Sequence, residues 1–204
     1  MIEITLSHGS PFVRKVRIAA TVKGLDDRIE FIDPQKDAAR AQALRAANPL
    51  DKIPAARLDD GTVIFDSHVI SEYLDTLSPS PRLFPAIGVE RFKALTLAAL
   101  ADGIMEAAVL VIYEGRYRPP EKHHPEWVDR QQAKADAGLA YLESNVPAWT
   151  GHINYGDITL ACALGFIDNR QGPQWRKRCP ALAAWFGKFA AAVPAWAATE
   201  PPKT

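Results

Sequence analysis

Three short segments in the first third of the sequence place polar side chains where helices should begin or where a strand should start. Ser10-Pro11-Phe12-Val13-Arg14 is the first. Pro11 suits the opening turn of a helix, which makes Ser10 the capping position. A hydroxyl there either caps the helix or donates a hydrogen bond to a ligand anion such as a thiolate. The unpaired N–H groups and the positive end of the helix dipole favour that charge. Phe65-Asp66-Ser67-His68 is the second. Its helix start and Ser67 hydroxyl suit a carboxylate, and Asp66 suits an ammonium. Both groups on one carbon form an α-amino acid head. Taken alone, each segment reads equally well as a plain cap. The third is Asn48-Pro49-Leu50-Asp51-Lys52-Ile53-Pro54, which leads into a strand. Proline is tolerated there only at the start or the edge. A cis Ile53–Pro54 bond would turn the Ile53 N–H and C=O outward, toward an extended peptide ligand. An ordinary trans turn is the alternative.

A fourth segment, Ile153-Asn154-Tyr155-Gly156-Asp157-Ile158, reads as structural. Asn154 and Asp157 have capping-box spacing, and Ile153 and Ile158 form the hydrophobic staple around it.

The elements that must position these residues follow from patterning. Ile2 to Leu6 alternates like a strand, and Pro11 to Lys23 reads as a helix ended by Gly24. Arg28 to Ile32 is a second strand, and Ala38 to Ala47 a second helix stopped by Asn48-Pro49. Ala55–Leu58 and Val63–Phe65 flank the turn signal Asp59-Asp60-Gly61. Ser67 to Leu77 is a third helix. Helices between successive strands imply βαβ crossovers, and the hairpin adds an antiparallel pair. Ser78 to Pro85 holds three prolines and reads as a linker. Beyond it the pattern is helical only: Val89–Arg118, Glu126–Asn145, Tyr155–Asn169, and Pro180–Thr199 with a break at Pro194. The expectation is a small α/β unit joined to an all-helical unit.

Composition removes several function classes. The chain has 204 residues, 48% apolar and 24% charged, with 24 basic and 24 acidic residues. The balance persists in each part: residues 1–80 carry 10 basic and 12 acidic, the remainder 14 and 12. A folded protein without a bulk basic face is expected, so neither nucleic acid nor a membrane is the expected partner. The N-terminus has no signal-peptide pattern. Thr96, Asp102 and Glu106 interrupt the most apolar run, Ala94 to Tyr113, which argues against a membrane span. Cys162 and Cys179 belong to no CxxC pair, so reduced thiols and a cytoplasmic location are expected. The five histidines have no ligand spacing, and no metal site is expected. Ser10 and Val13 occupy the positions a dithiol redox enzyme needs for cysteine. No GxGxxG or GxxxxGK[ST] phosphate loop is present.

Taken jointly, in this order and spacing, the segments resemble the cytosolic glutathione transferase superfamily over essentially the whole chain. The Ser10-Pro11-Phe12-Val13-Arg14-Lys15 start, Leu100-Ala101-Asp102-Gly103-Ile104-Met105 and the Thr199-Glu200-Pro201-Pro202-Lys203 tail look most like a small bacterial branch of uncertain physiological role. The resemblance implies a thioredoxin-like βαβαββα domain over residues 1–78 that binds glutathione. A linker over 79–87 and an all-helical domain over 88–204 would follow. It also implies a homodimer and an acceptor pocket between the domains.

Residue by residue, Ser10 matches the activating position. Ile53 and Pro54 match the residue and cis-proline that pair with the backbone of the cysteinyl unit. Asp66 and Ser67 match the acidic-Ser pair that holds the γ-glutamyl head. Lys52 lies where some classes place a cation near the glycine carboxylate, and Phe12 and Val13 would line the mouth of the site. Asn154 and Asp157 match the family's capping box, with Asn154 in place of the usual Ser or Thr. Tyr113, Arg116 and Tyr117 are acceptor-pocket candidates at helical spacing, though such aromatics are more often core. Ser7 competes with Ser10, which is preferred because Pro11 sets it at the helix start. The implied activity is conjugation of glutathione to a hydrophobic electrophile, or reduction of a peroxide. The alternative is a homologue that binds glutathione or a protein partner without turnover.

Overall fold

The computed structural model describes residues 1–201, so Pro202 and Lys203 of the tail motif lie outside the described residues. Strand β1 (Ile2–Thr5) runs parallel to β2 (Ile29–Ile32), with Ile2 opposite Ile29 and Thr5 opposite Ile32. Helix α1 (Pro11–Val22) forms the crossover between them. After helix α2 (Ala38–Ala46), strands β3 (Ala56–Arg57) and β4 (Val63–Ile64) form an antiparallel hairpin beside β1. The sheet order is β2-β1-β3-β4, and α3 (Ser67–Thr76) closes the α/β unit. The hairpin strands are shorter than the apolar pattern suggests. The ladder gives way at once to a turn in which the Leu58 N–H donates to the Thr62 carbonyl, with Gly61 at φ 87°.

Helix α1 is buried on two sides. Val16 and Ala20 pack with Ile2, Ile4, Ile29, Ala56, Ile70 and Leu74 in the core under the sheet. Ile18 and Ala19 face the other way, into the core of the helical unit. That unit comprises α4 (Gly88–Tyr117), α5 (Pro125–Ser144), α6 (Tyr155–Gln171), α7 (Trp175–Arg178), α8 (Pro180–Ala192) and α9 (Pro194–Ala198). Helix α4 is long and apolar enough to cross a membrane by length and composition alone. Here it packs against α5 and α6, burying Ala94, Ala98, Ala101, Ile104 and Met105. Small residues permit that approach: a Cβ at Gly156 would stand 2.6 Å from the Ala94 carbonyl oxygen. Of the five tryptophans, Trp175 and Trp185 are buried, whereas Trp127 is largely exposed on α5.

Charged groups inside the seams fix the two units to each other. The Lys23 ammonium is buried where α1 ends and donates to Asp75 (2.8 Å) and to the carbonyls of Ser78 (2.5 Å) and Pro81 (2.6 Å). Asp75 in turn accepts the Leu83 and Phe84 N–H groups, so one ion pair holds the connecting segment at both ends. The capping box at α6 docks on the same segment through the Tyr155 N–H, which donates to the Leu83 carbonyl. Arg14 stacks on Trp196 at 3.4 Å and donates to the Trp196 carbonyl and the Thr199 hydroxyl, tying α1 to α9.

Candidate functional site

Ser10 has extended backbone geometry (φ −86°, ψ 120°) and ends the turn that leaves β1. Its N–H donates to the Ser7 carbonyl at 3.2 Å, so Ser7 supports the turn and Ser10 caps the helix. The Val13 N–H donates to Ser10 Oγ at 3.3 Å. No described residue accepts the Ser10 proton. Val13 itself is fully buried, so its side chain does not line the mouth of the site. It contributes the capped N–H. Phe12 is half-buried against the helical core, with its ring 5.3 Å from the Lys15 ammonium.

The loop before β3 is shaped by a buried side chain. Asn48 Nδ2 donates to the Lys52 carbonyl at 2.8 Å, and Asn48 Oδ1 accepts the Leu50 N–H at 3.0 Å. Asp51 takes a left-handed conformation at φ 51°, which Asp tolerates better than most residues. Lys52 is exposed and makes no ion pair with a described residue. The Ile53–Pro54 bond is cis. Beyond it the Ala55 N–H donates to Thr5 Oγ1 at 2.9 Å, and the Thr5 N–H donates to the Ala55 carbonyl at 3.0 Å. The Ile53 N–H and C=O find no partner among the described residues, so one extended edge stays open beside the end of β1.

Asp66 caps α3 by accepting the His68 N–H at 3.0 Å through one carboxylate oxygen, and Asp66 itself is exposed. Ser67 is buried at the first helical position, where the Ser71 hydroxyl donates to its carbonyl. The His68 ring lies 5.1 Å from Tyr155 and 5.6 Å from Phe84, which presses this helix start against the helical unit.

Between the two helix starts lies a buried ion pair. The Lys15 ammonium donates to Asp102 at 2.5 Å and to the Tyr155 hydroxyl at 3.2 Å. Burial disfavours the charge on Lys15, but Tyr155 and Asp102 outweigh it, and the amine is held protonated. Burial pushes the Asp102 carboxyl above its ordinary range, and the Lys15 ammonium pulls it partly back.

A cavity of about 170 Å³ opens beside Ser10. Its walls are the His8–Pro11 turn, Arg14 and the outer half of α6, including Cys162, Phe166 and Arg170. Burial pushes the Cys162 thiol up to about 12, so it is neutral. Tyr113, Arg116 and Tyr117 do not line this cavity. They form an exposed cluster at the end of α4, with the two tyrosine rings edge-on at 4.9 Å. Helical spacing placed them correctly on one face, but α6 and not that face of α4 walls the cavity. Asn154 and Asp157 form the closed capping box at α6. No group of three His, Cys, Asp or Glu able to hold a metal occurs among the described residues.

The roles that four residues of this region take in the fold are not visible from their local sequence. Lys15 and Asp102 sit far apart in sequence, and a lysine on a helix reads as solvated. Asn48 looks like an ordinary helix stop. Arg170, near the end of α6, looks like a residue placed for the helix dipole.

The comparisons with known proteins cover both halves of the chain. The model for the glutathione S-transferase N-terminal domain matches residues 9–77, and that for the C-terminal domain matches residues 125–188. An uncharacterized GST-like protein of Escherichia coli (strain K12), YibF, is 32% identical over 201 residues, 97% of each chain. A solved glutathione transferase family member from Pseudomonas fluorescens Pf-5, with bound glutathione, superposes with a TM-score of 0.92 at 42% identity. The match covers 99% of this chain and 100% of that one. A second structure of that same family member carries S-(propanoic acid)-glutathione. It matches at 41% identity and a TM-score of 0.87, over 99% of this chain and 98% of that one.

Proposed function

Because this chain belongs to the glutathione S-transferase family, we propose that it binds glutathione along the open edge at Ile53 and activates its thiol at Ser10. The observation that carries the reading is the uncommitted Ser10 proton at the start of α1, beside a cavity. Glutathione bound to a 42% identical relative supports the choice of ligand.

The γ-glutamyl head takes the α3 start. Its carboxylate meets the Ser67 hydroxyl and helix N–H groups, and its ammonium meets Asp66, with Asp102 adding negative field. The cysteinyl backbone pairs with the Ile53 N–H and C=O past Pro54, and Lys52 lies toward the glycine carboxylate. The sulfur then reaches Ser10. A free thiol has a pKa of about 8.5. A charge-assisted hydrogen bond of roughly 1.5–3 kcal/mol stabilises the thiolate by about one to two pKa units. The thiolate attacks an electrophilic carbon or reduces a peroxide, and Ser10 is not itself the nucleophile. A cytoplasmic homodimer is the expected setting, the family resemblance supporting the dimer and the two free, buried cysteines the compartment.

Calorimetric titration with glutathione tests the site. Asp66→Ala and Ser67→Ala are each expected to weaken binding about tenfold or more, as the loss of a charge-assisted contact does. Unchanged affinity in both variants would remove the assignment. The competing reading, glutathione binding without turnover, is separated from it by the state of the bound thiol.

A further inference from the structure

Resting on the glutathione reading, we infer that the acceptor side of the site is built for a carboxylate, with Arg170 as the group that receives it. The cavity beside Ser10 is walled chiefly by apolar atoms, from Pro11, Gly165, Phe166 and Pro201 among others. Two arginines border it. Arg14 is largely committed: its guanidinium stacks on Trp196, Nε donates to the Thr199 hydroxyl and Nη2 to the Trp196 carbonyl. Arg170 is not. It donates no hydrogen bond and forms no ion pair with any described residue. The one acidic neighbour on its own turn, Asp168, is engaged by Arg176 and by the Trp175 indole.

Gly9 gives the guanidinium room beside the turn. Its φ is not in the left-handed region, so the backbone does not require glycine there. A Cβ at Gly9 would stand 2.7 Å from Arg170 Nη2, with no other contact within 4 Å. The missing side chain lets the guanidinium lie directly on the turn that ends in Ser10. A planar cation therefore borders a small apolar chamber that also borders the sulfur position. The chamber is small, about 170 Å³. That suits a short substituent on sulfur that ends in a carboxylate, matched bidentately by the guanidinium.

The substrate class is thus a small electrophile carrying a carboxylate, such as a short enoic acid. In that reaction the sulfur–carbon bond forms at the β-carbon. The π pair moves to the α-carbon, which takes a proton from water, and the thiol proton has already left on ionisation. The carboxylate is unchanged and stays on Arg170.

Binding to three probes tests the inference: glutathione, S-propylglutathione and S-(2-carboxyethyl)glutathione. The wild type is expected to prefer the carboxylated adduct over the propyl adduct by roughly tenfold, as a charge-assisted bidentate contact gives. The preference should shrink with added salt. Arg170→Gln is expected to reduce it to within about twofold while leaving glutathione affinity unchanged. Arg170→Lys should retain part of it. Arg170 is exposed, so these variants are expected to keep the wild-type melting temperature. No preference in the wild type, or a preference that survives Arg170→Gln, would overturn the inference alone. Equal weakening of all three probes in Arg170→Gln would assign the guanidinium to glutathione's own carboxylate and overturn it as well. If the wild type binds none of the three, the glutathione reading fails and takes this one with it.

Discussion

Helices α1 and α6 both begin with a short polar cap, and the two caps differ in what the third helical residue returns. At α6, Asn154 Oδ1 accepts the Asp157 N–H at 3.2 Å, and Asp157 Oδ2 accepts the Asn154 N–H at 3.0 Å. Each residue answers the other. At α1, Ser10 Oγ accepts the Val13 N–H at 3.3 Å, and Val13 has nothing to return. The α6 cap is buried under the connecting segment, whereas the α1 cap borders a cavity. A cap closed on itself stabilises a helix and stops there. A cap that is open at the hydroxyl proton keeps a donor for a ligand, aligned with the helix N-terminus.

The largest effect is expected from the ion that braces the open cap. Lys15→Met leaves Asp102 partly buried without its partner, and a loss of about 3 kcal/mol in unfolding free energy should follow. Denaturant titration measures it. A loss below about 1 kcal/mol would mean that the pair does not hold α1 against the helical unit.

The closed cap should report on pH. Burial pushes the Asp157 carboxyl up to about 6, from an ordinary 3.8. Between those values the folded chain binds more proton than the unfolded one, so this group's contribution falls as pH rises from about 4 to about 6 and stays low above it. Asp157→Asn removes the titration while keeping an oxygen for the Asn154 N–H. Its stability relative to wild type is therefore expected to improve across that window, on the order of 2 kcal/mol. A constant difference between the two proteins would show that Asp157 does not titrate there.

Smaller effects separate the two caps directly. Asn154→Ala is expected to cost about 1 kcal/mol and to leave glutathione affinity unchanged, because its cap serves only the fold. Asn154→Ser should change stability by a few tenths of a kcal/mol, since both residues cap well. Thermal melts of the two variants check this. Equal losses in both would mean that a serine hydroxyl cannot replace the Asn154 amide oxygen at this cap.

Much of this arrangement is legible in the sequence. Pro11, Gly24 and the Asp59-Asp60-Gly61 turn mark element ends that the structure places within one or two residues. The capping box shows in its spacing because both partners are local. What does not show depends on residues brought together from afar. Lys15, Lys23 and Arg14 read as solvated charges, yet their partners Asp102, Asp75 and Trp196 lie 87, 52 and 182 residues away. Helix α7 has four residues, too few to show a period, and follows Gly172-Pro173. The cavity wall depends on which face of α6 meets the turn before α1. Arg170 and Gly9 therefore carry no local signal, and the tyrosines of α4 were the more visible candidates.

The central claim is that the open cap at α1 stabilises a thiolate. Ultraviolet titration of protein-bound glutathione, in wild type and Ser10→Ala, tests it most directly. Ser10→Ala should cost at most about 1 kcal/mol of stability and should still bind glutathione. In the wild type the bound thiol is expected to ionise about one to two units below the free value of about 8.5, and in Ser10→Ala that depression should be lost. A bound thiol that titrates at the free value in both proteins would contradict the account and leave a glutathione-binding protein without turnover.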